Sequence, residues 1–355
     1  MYKKFIRPIL FQFNPELVHN LTILAGRFAS FTKFSRLLRI LFVHKSKKLE
    51  QNILGIKFEN PVGLAGGFDK NAYLTDFLPD MGFGFMEIGS ITAEPCLGNP
   101  KPRLHRLIKN KGIIVNYGLA NKGVKEIYNK LKNKNFKIPL GINIAKTNNP
   151  SIKGSKSIDD YFKSFKIIKT LGDYITINIS CPNAGDGRSF EDPKLLEPLL
   201  KKINKIRAGK IIFIKISSDL EKRNLDKIIN LAEKYKISGF IISNLTKKRA
   251  GLMPEDNLKY NGGVSGKHTA NKSNEIIKYV YKKTNRKFLI IGCGGIFSGK
   301  DAYEKIKNGA TLVQLITGMI FEGPGLIKKI NRELVELLEK DKYKNIKQAI
   351  GKNIH

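Results

Sequence analysis

The chain has 355 residues, 41% hydrophobic and 9% aromatic, which excludes global disorder and suffices for a barrel-sized domain of about 250 residues plus a small appendage. Cys96, Cys181 and Cys293 are too widely spaced for a disulfide framework or a CxxC metal motif, the five histidines are scattered, and no metal site is expected. The net charge of +34, from 64 Lys and Arg against 30 Asp and Glu, is spread along the chain without interleaved aromatics. It therefore reads as compositional bias rather than a nucleic-acid surface, while attraction to anionic lipid or anionic substrates stays open.

Residues 1–48 differ in pattern from the rest and are read as an N-terminal helical module ahead of a domain over 49–355. Asn14-Pro15-Glu16 predicts a helix start: a capping Asn, Pro at the first position, and an acid near the positive end of the helix. Leu17, Leu21, Leu24 and Phe28 then recur at helical spacing. A second short helix is expected from Thr32, with Phe34, Leu37, Leu38, Leu41 and Phe42 apolar and Arg27, Lys33, Arg36 and Arg39 among them. Such basic-rimmed amphipathic helices suit a membrane interface or a hairpin packed on its own domain. No run reaches the roughly 18 apolar residues of a spanning helix, and no signal peptide is expected.

Leu49–Asn60 predicts a hairpin closing the floor of the next domain. Eight β-rich runs follow, at Val62–Ala65, Phe85–Ser90, Leu140–Ile144, Tyr174–Ile179, Ile211–Ile216, Gly239–Ser243, Phe288–Gly292 and Leu312–Ile316. Most are separated by helical segments such as Leu195–Ile206, Leu225–Tyr235 and Asn274–Tyr281. Near-continuous apolar strands alternating with helices imply a parallel sheet covered by helices, and eight such units imply an α/β, (β/α)8 TIM barrel; an open doubly wound sheet is the alternative. The longest irregular stretches, around 91–116 and 244–266, are long enough to be functional loops.

In a barrel the chemistry gathers where strands end. Asn143, Asn178 and Lys215 sit inside otherwise apolar strands and would project into the barrel mouth. A buried Lys needs a partner. For Lys215 that partner is a bound anion or Glu87, the only acid in the eight runs. Gly294-Gly295 and Gly318 after the last two strands would let backbone N–H groups approach a phosphate. Cys181, between Ser180 and Pro182 and flanked by Asn178 and Asn183, is either a nucleophile or base with a lowered pKa, or an inert small hydrophobe. Cys96 and Cys293 are read as structural.

These motifs resemble dihydroorotate dehydrogenase over nearly the whole chain. The resemblance rests on Asn60-Pro61-Val62-Gly63-Leu64-Ala65-Gly66-Gly67-Phe68-Asp69-Lys70, Lys101-Pro102-Arg103-Leu104, Asn178 to Asn183, Gly262-Gly263-Val264-Ser265-Gly266, and Ile291-Gly292-Cys293-Gly294-Gly295-Ile296. It implies FMN contacts at Ala65, Gly66, Ser90, Asn143, Lys215, Ser243, Gly266, Gly295 and Thr317, with Asn178 shared between cofactor and substrate. It implies dihydroorotate contacts at Lys70, which would hold the carboxylate, and at Asn178, Asn183, Asn244 and the segment Asn116, Tyr117, Gly118, Leu119. Cys181 falls at the catalytic base. The N-terminal module resembles that of the membrane-associated, quinone-dependent class. This implies a quinone tunnel, an anionic membrane surface as partner, and a peripheral place on the cytoplasmic face of a bacterial inner membrane, in UMP biosynthesis.

Two positions depart from the pattern. The quinone-dependent class usually has Ser as base; Cys is the base of the soluble class, which uses fumarate or NAD. Val115 stands where an ungapped alignment expects Asn, so either Asn116 takes that role or one substrate hydrogen bond is absent. The other readings are an FMN barrel of the dihydrouridine synthase kind, for which the roughly forty residues after the eighth strand leave no room for an RNA-binding domain, and a non-catalytic binding module.

Overall fold

The computed structural model describes residues 1–30, 34–180, 189–256 and 259–354. A helical turn over Tyr2–Ile6 leads into α1 (Arg7–Gln12), which the sequence pattern did not announce, then α2 (Pro15–Ser30) and α3 (Phe34–Phe42). The predicted cap holds: Asn14 Oδ1 accepts from the Glu16 and Leu17 backbone N–H groups at 2.9 and 3.2 Å. The expected second-helix start, Thr32, lies outside the described residues, as does Lys33.

The rest of the chain runs β1 (Gln51–Ile53), β2 (Ile56–Phe58), β3 (Val62–Leu64), β4 (Phe85–Ile91), β5 (Leu104–Leu107), β6 (Gly112–Val115), α4 (Val124–Leu131), β7 (Leu140–Ile144), α5 (Ser155–Ile168) and β8 (Tyr174–Asn178). It continues with α6 (Pro193–Asn204), β9 (Ile211–Ile216), α7 (Lys222–Lys234), β10 (Gly239–Ile242), β11 (Gly263–Gly266) and α8 (Ala270–Lys283). Last come β12 (Leu289–Cys293), α9 (Gly299–Lys307), β13 (Leu312–Leu315), α10 (Thr317–Glu322) and α11 (Leu326–Lys340). Strands β3, β4, β7, β8, β9, β10, β12 and β13 are parallel and close on themselves as a barrel. The fold is a (β/α)8 TIM barrel, and the open-sheet alternative falls.

Period-two alternation explains the two cores. Outward residues such as Met86, Ile88, Ile142, Ile175, Ile177, Ile212 and Ile214 pack under the helices. Inward residues Phe85, Tyr174, Phe213, Ile241, Ile291 and Leu312 fill the barrel floor with Phe58, and the β1–β2 hairpin packs Ile53 and Ile56 against them. Glycine makes this filling possible: a Cβ on Gly63 would lie 2.4 Å from the Phe85 ring, and one on Gly141 would lie 2.1 Å from the Tyr174 ring.

The two long irregular stretches are corrected. Within them β5, β6 and β11 form a three-stranded antiparallel sheet, with Gly263 opposite Val115 and Leu104 opposite Val115 on the other side. This sheet stands over the barrel mouth; it carries Arg106 within β5 and Val115 at the end of β6, and Arg103 directly precedes β5.

Candidate active site

One layer above the floor the inward positions turn polar. Glu87 on β4 is fully buried, and its carboxylate accepts from Thr176 Oγ1 at 2.9 Å, Gln314 Nε2 at 3.3 Å and Asn143 Nδ2 at 2.8 Å. Lys215 Nζ on β9 lies 4.0 Å from Glu87 Oε1. The internal partner weighed for Lys215 therefore exists, but at a distance beyond a good hydrogen bond. Its ammonium faces the cavities above and has capacity left for an anion.

The next layer is a relay of amides and hydroxyls. Ser90 Oγ donates to Asn143 Oδ1 and accepts from Asn178 Nδ2 at 3.0 Å. Asn178 Oδ1 accepts from Ser180 Oγ at 3.1 Å and from Asn244 Nδ2 at 3.3 Å. The neighbouring strands β4, β7 and β8, with the end of β10 beyond the intervening β9, thus bring Ser90, Asn143, Asn178 and Asn244 together. Cys181 and Asn183 follow directly but lie outside the described residues.

Two connected cavities open onto this layer, sharing Gly66, Lys215, Asn244, Ser265 and Thr317 among their walls. The smaller runs along the ends of β3, β10, β12 and β13 and is lined by Ala65, Ser243, Gly266 and Gly295. The hydroxyl of Ser243 is buried there with no hydrogen-bond partner among the described residues. Gly294 and Gly295 have φ of +101° and +74°, which glycine adopts at no steric cost, and they sit tight against the start of α8: a Cβ on Gly294 would lie 2.7 Å from Thr269 Oγ1 and one on Gly295 2.4 Å from Ala270 Cβ.

The larger cavity holds about 400 Å³ and reaches from Ser90, Asn178 and Lys215 outward to the N-terminal helices. Its outer wall is mostly apolar, with Phe11, Val18, Phe77, Met81, Leu104 and Ile320 beside Tyr2, Thr22 and Arg106. Its middle carries Lys70, Tyr117, Gly118, Leu119 and also Val115. Asn116 does not line it: its backbone N–H donates to the Arg103 carbonyl at 2.8 Å, and its side chain accepts from Asn99 Nδ2 at 2.8 Å. Strand alternation in β6 turns Val115 to the cavity and Asn116 away, so no asparagine amide reaches it from this segment.

The electrostatics of the middle section are set by burial. Desolvation pulls Lys70 down to about 8, partly offset by Asp69. His19 on α2 is held at about 3 by burial and by the nearby Lys70 charge, so it is neutral at physiological pH. Tyr117 is pushed up to about 12 by burial and by Glu16. Burial alone would raise Glu16, but hydrogen bonds and charge from Arg103 outweigh it and hold the carboxyl below its ordinary value.

Sequence reasoning missed Glu16, His19, Arg103 and Arg106 as parts of this region. Glu16 was legible only as a helix-start acid, because its partner Arg103 lies 87 positions away. Arg106 donates to the Leu10, Phe11 and Phe13 carbonyls and so ties α1 to β5; nothing local signals such a contact.

The comparisons with known proteins agree with this geometry. The family model described as dihydroorotate dehydrogenase matches residues 48–338. A dihydroorotate dehydrogenase (quinone) of Christiangramia forsetii is 42% identical over 341 residues, covering 95% of this chain and 99% of that protein. One of Trichodesmium erythraeum is 35% identical over 373 residues, covering 99% and 98%. A crystal structure of ligand-free DHODH from Eimeria tenella superposes with a TM-score of 0.86 at 30% identity, covering 96% of this chain and 99% of that one. Its complex with ferulenol gives 0.85 at 29% identity, covering 96% and 95%. Fold and relatives converge, and the chain belongs to the dihydroorotate dehydrogenase family.

Proposed function

We propose that the chain oxidises (S)-dihydroorotate to orotate with bound FMN and passes the electrons to a membrane quinone, as a step of pyrimidine biosynthesis. The observation that carries this reading is the single cavity running from the polar barrel mouth to the apolar wall of the N-terminal helices. It offers one end to a polar, anionic substrate and the other to an apolar acceptor.

The residues present fit FMN. The Ser243 hydroxyl, without a partner among the described residues, and the glycine backbone of Gly294 and Gly295 suit a phosphate group, which barrels commonly hold after their last two strands. Ala65, Gly66, Lys215, Gly266 and Thr317 line the same cleft, Ser90 lines the adjoining larger cavity, and Asn143 stands behind Ser90, bonded to it and to Glu87. The chemistry FMN supplies when bound is hydride acceptance and onward release of electrons.

The chain's own groups do the rest. Lys70 pairs with the substrate carboxylate, and Asn178, Asn183 and Asn244 hydrogen-bond the pyrimidine ring and fix its orientation. Cys181 takes the proton from C5 while hydride leaves C6. Its neighbour Ser180 is buried and held by Asn178 and Asn244. Lys215 supplies positive charge where negative charge develops on the acceptor. Val115 offers an apolar wall where the family pattern has an amide, so the pyrimidine is held by one hydrogen bond fewer.

The N-terminal helices support a peripheral membrane site. Leu17, Leu21, Leu24 and Phe28 of α2 and Leu37, Ile40 and Leu41 of α3 are exposed. Among the described residues no helix is long and apolar enough to cross a membrane. We place these faces in an anionic lipid surface on the cytoplasmic side of a bacterial inner membrane.

The test is anaerobic mixing of flavin-loaded protein with dihydroorotate, followed by a short-chain quinone or, separately, fumarate or NAD. Bleaching with reoxidation by quinone is expected. Absence of bleaching overturns the substrate. Reoxidation by fumarate or NAD alone favours the second reading, which Cys181 carries, in which the acceptor follows the base rather than the N-terminal module.

A further inference from the structure

We infer that Glu16 is a positioning residue for substrate binding, acting through Arg103 and Tyr117 so that the seat of α2 on the barrel sets the place of Lys70. This rests on the functional reading above, in which Lys70 receives the substrate carboxylate. Glu16 and Arg103 form a buried two-point ion pair, with Arg103 Nε 3.3 Å from Glu16 Oε2 and Arg103 Nη2 donating to Glu16 Oε1. The same guanidinium donates to the Leu97 carbonyl at 2.8 Å and lies 4.6 Å from the centre of the Tyr117 ring. Lys70 Nζ lies 3.7 Å from the centre of that ring. Two cations thus share one aromatic ring, and Glu16 is the carboxylate that fixes one of them.

Two further contacts bind α2 to the loop that carries Lys70. One turn along from Glu16, His19 sets its ring edge-on against Phe68 at 4.9 Å, two residues before Lys70. Beyond Lys70, Arg27 lies 4.7 Å from the centre of the Tyr73 ring, and Gly26 packs so closely that a Cβ would meet Leu74 at 2.6 Å. The loop between is one stiff piece, because the buried Asp69 carboxylate accepts from the Tyr73 and Leu74 N–H groups at 2.8 and 2.7 Å. A shift of α2 therefore moves or frees Lys70. Thermodynamic linkage makes this reciprocal: an anion held by Lys70 steadies α2.

The experiment uses the full flavin-loaded chain and compares wild type with Glu16→Gln, Glu16→Asp and Arg27→Met. Anaerobic bleaching is followed against dihydroorotate concentration. For Glu16→Gln the half-saturating concentration rises about tenfold while the limiting rate stays within about twofold. Glu16→Asp recovers most of the difference. Arg27→Met, at an exposed position, shifts half-saturation in the same direction by about twofold and carries the test if Glu16→Gln does not fold. Hydrogen exchange of residues 15–30 is the second readout: orotate slows it in wild type and not in Glu16→Gln. A Glu16→Gln protein that saturates as wild type does, or loses limiting rate instead, overturns the inference. So does exchange in α2 that ignores orotate in wild type. A wild type that dihydroorotate does not bleach overturns the functional reading and takes this inference with it.

Discussion

The helices of the barrel and the helices of the N-terminal module share one sequence pattern and use it in opposite directions. On α6 and α7 the apolar stripe is buried against the strands: Leu196, Leu199, Leu200 and Ile203, then Leu225, Ile228, Ile229 and Ala232. On α2 the regularly spaced Leu17, Leu21, Leu24 and Phe28 face outward, and the buried residues are Glu16 and Gly26. Periodicity shows that a helix has an apolar face; it does not show what that face meets. A soluble helix places the stripe on its own core because water penalises its exposure. When the stripe is left outside, another apolar phase is the natural partner. The inward face of α2 is mixed: Val18 and His19 line the large cavity, Ile23 packs against the core, and Glu16 and Gly26 supply an ion pair and a close approach.

The comparison can be broken most sharply at the barrel mouth. If the barrel performs the substrate half of the reaction and the module the acceptor half, Cys181→Ala slows bleaching by dihydroorotate by about 10²- to 10⁴-fold and leaves reoxidation by quinone at its wild-type rate. Loss of both rates together would mean that the two regions are not divided in this way. Cys181→Ser moves the rising, base-controlled limb of the bleaching rate to higher pH, since a thiol titrates near about 8.5 and a serine hydroxyl far above it. An unchanged limb would remove Cys181 from the role of base.

The packing contrast is tested by cutting both stripes. Ile228→Ala in α7 costs about 2–5 kcal/mol in denaturant unfolding, because a fully buried side chain leaves a cavity. Leu24→Ala in α2 stays within about 0.5 kcal/mol. Equal losses at the two positions would show that α2 buries its stripe in the free protein. Conversely, Leu24→Asp with Phe28→Asp weakens binding to anionic lipid vesicles by at least about tenfold and spares flavin content.

A smaller effect lies where the regions meet. Lys70, held at about 8, carries its charge below that pH and loses it above. Dihydroorotate half-saturation therefore climbs as pH rises past about 8, by up to about tenfold per unit. The stability of the free protein responds with the opposite sign. Between about pH 8 and the ordinary lysine value of about 10.4 the unfolded chain holds a proton that the folded chain has released, so this group's penalty fades and stability rises. Lys70→Met removes both trends. A half-saturation that is flat across pH 7–9 would place the substrate carboxylate elsewhere.

Much of the fold was legible. The eight parallel strands appear within about a residue of their expected limits, because each is a short β-branched run between turn residues and all eight repeat one unit. Asn143, Asn178 and Lys215 were legible as polar groups on inward strand positions that need partners, and the structure joins them to Ser90 and Glu87 in one buried network. The antiparallel sheet over that mouth was not legible. Its strands are four residues long, and β11 pairs with β6 across nearly 150 positions, so no local signal names the partner. The choice between Val115 and Asn116 was decided by the same sheet, whose register turns one residue in and the next one out.

The sequence alone determined the barrel, its two-sided strands, the polar mouth residues and the amphipathic character of the first helices, since all of these are written in spacing along the chain. Only the tertiary structure decided which way α2 faces, that Lys215 meets Glu87 at 4.0 Å, and that Glu16, Arg103, Tyr117 and Lys70 form one assembly. The physical reason is range. Helical and strand periods act over a few residues, whereas ion pairs and ring contacts join groups that only chain closure brings together.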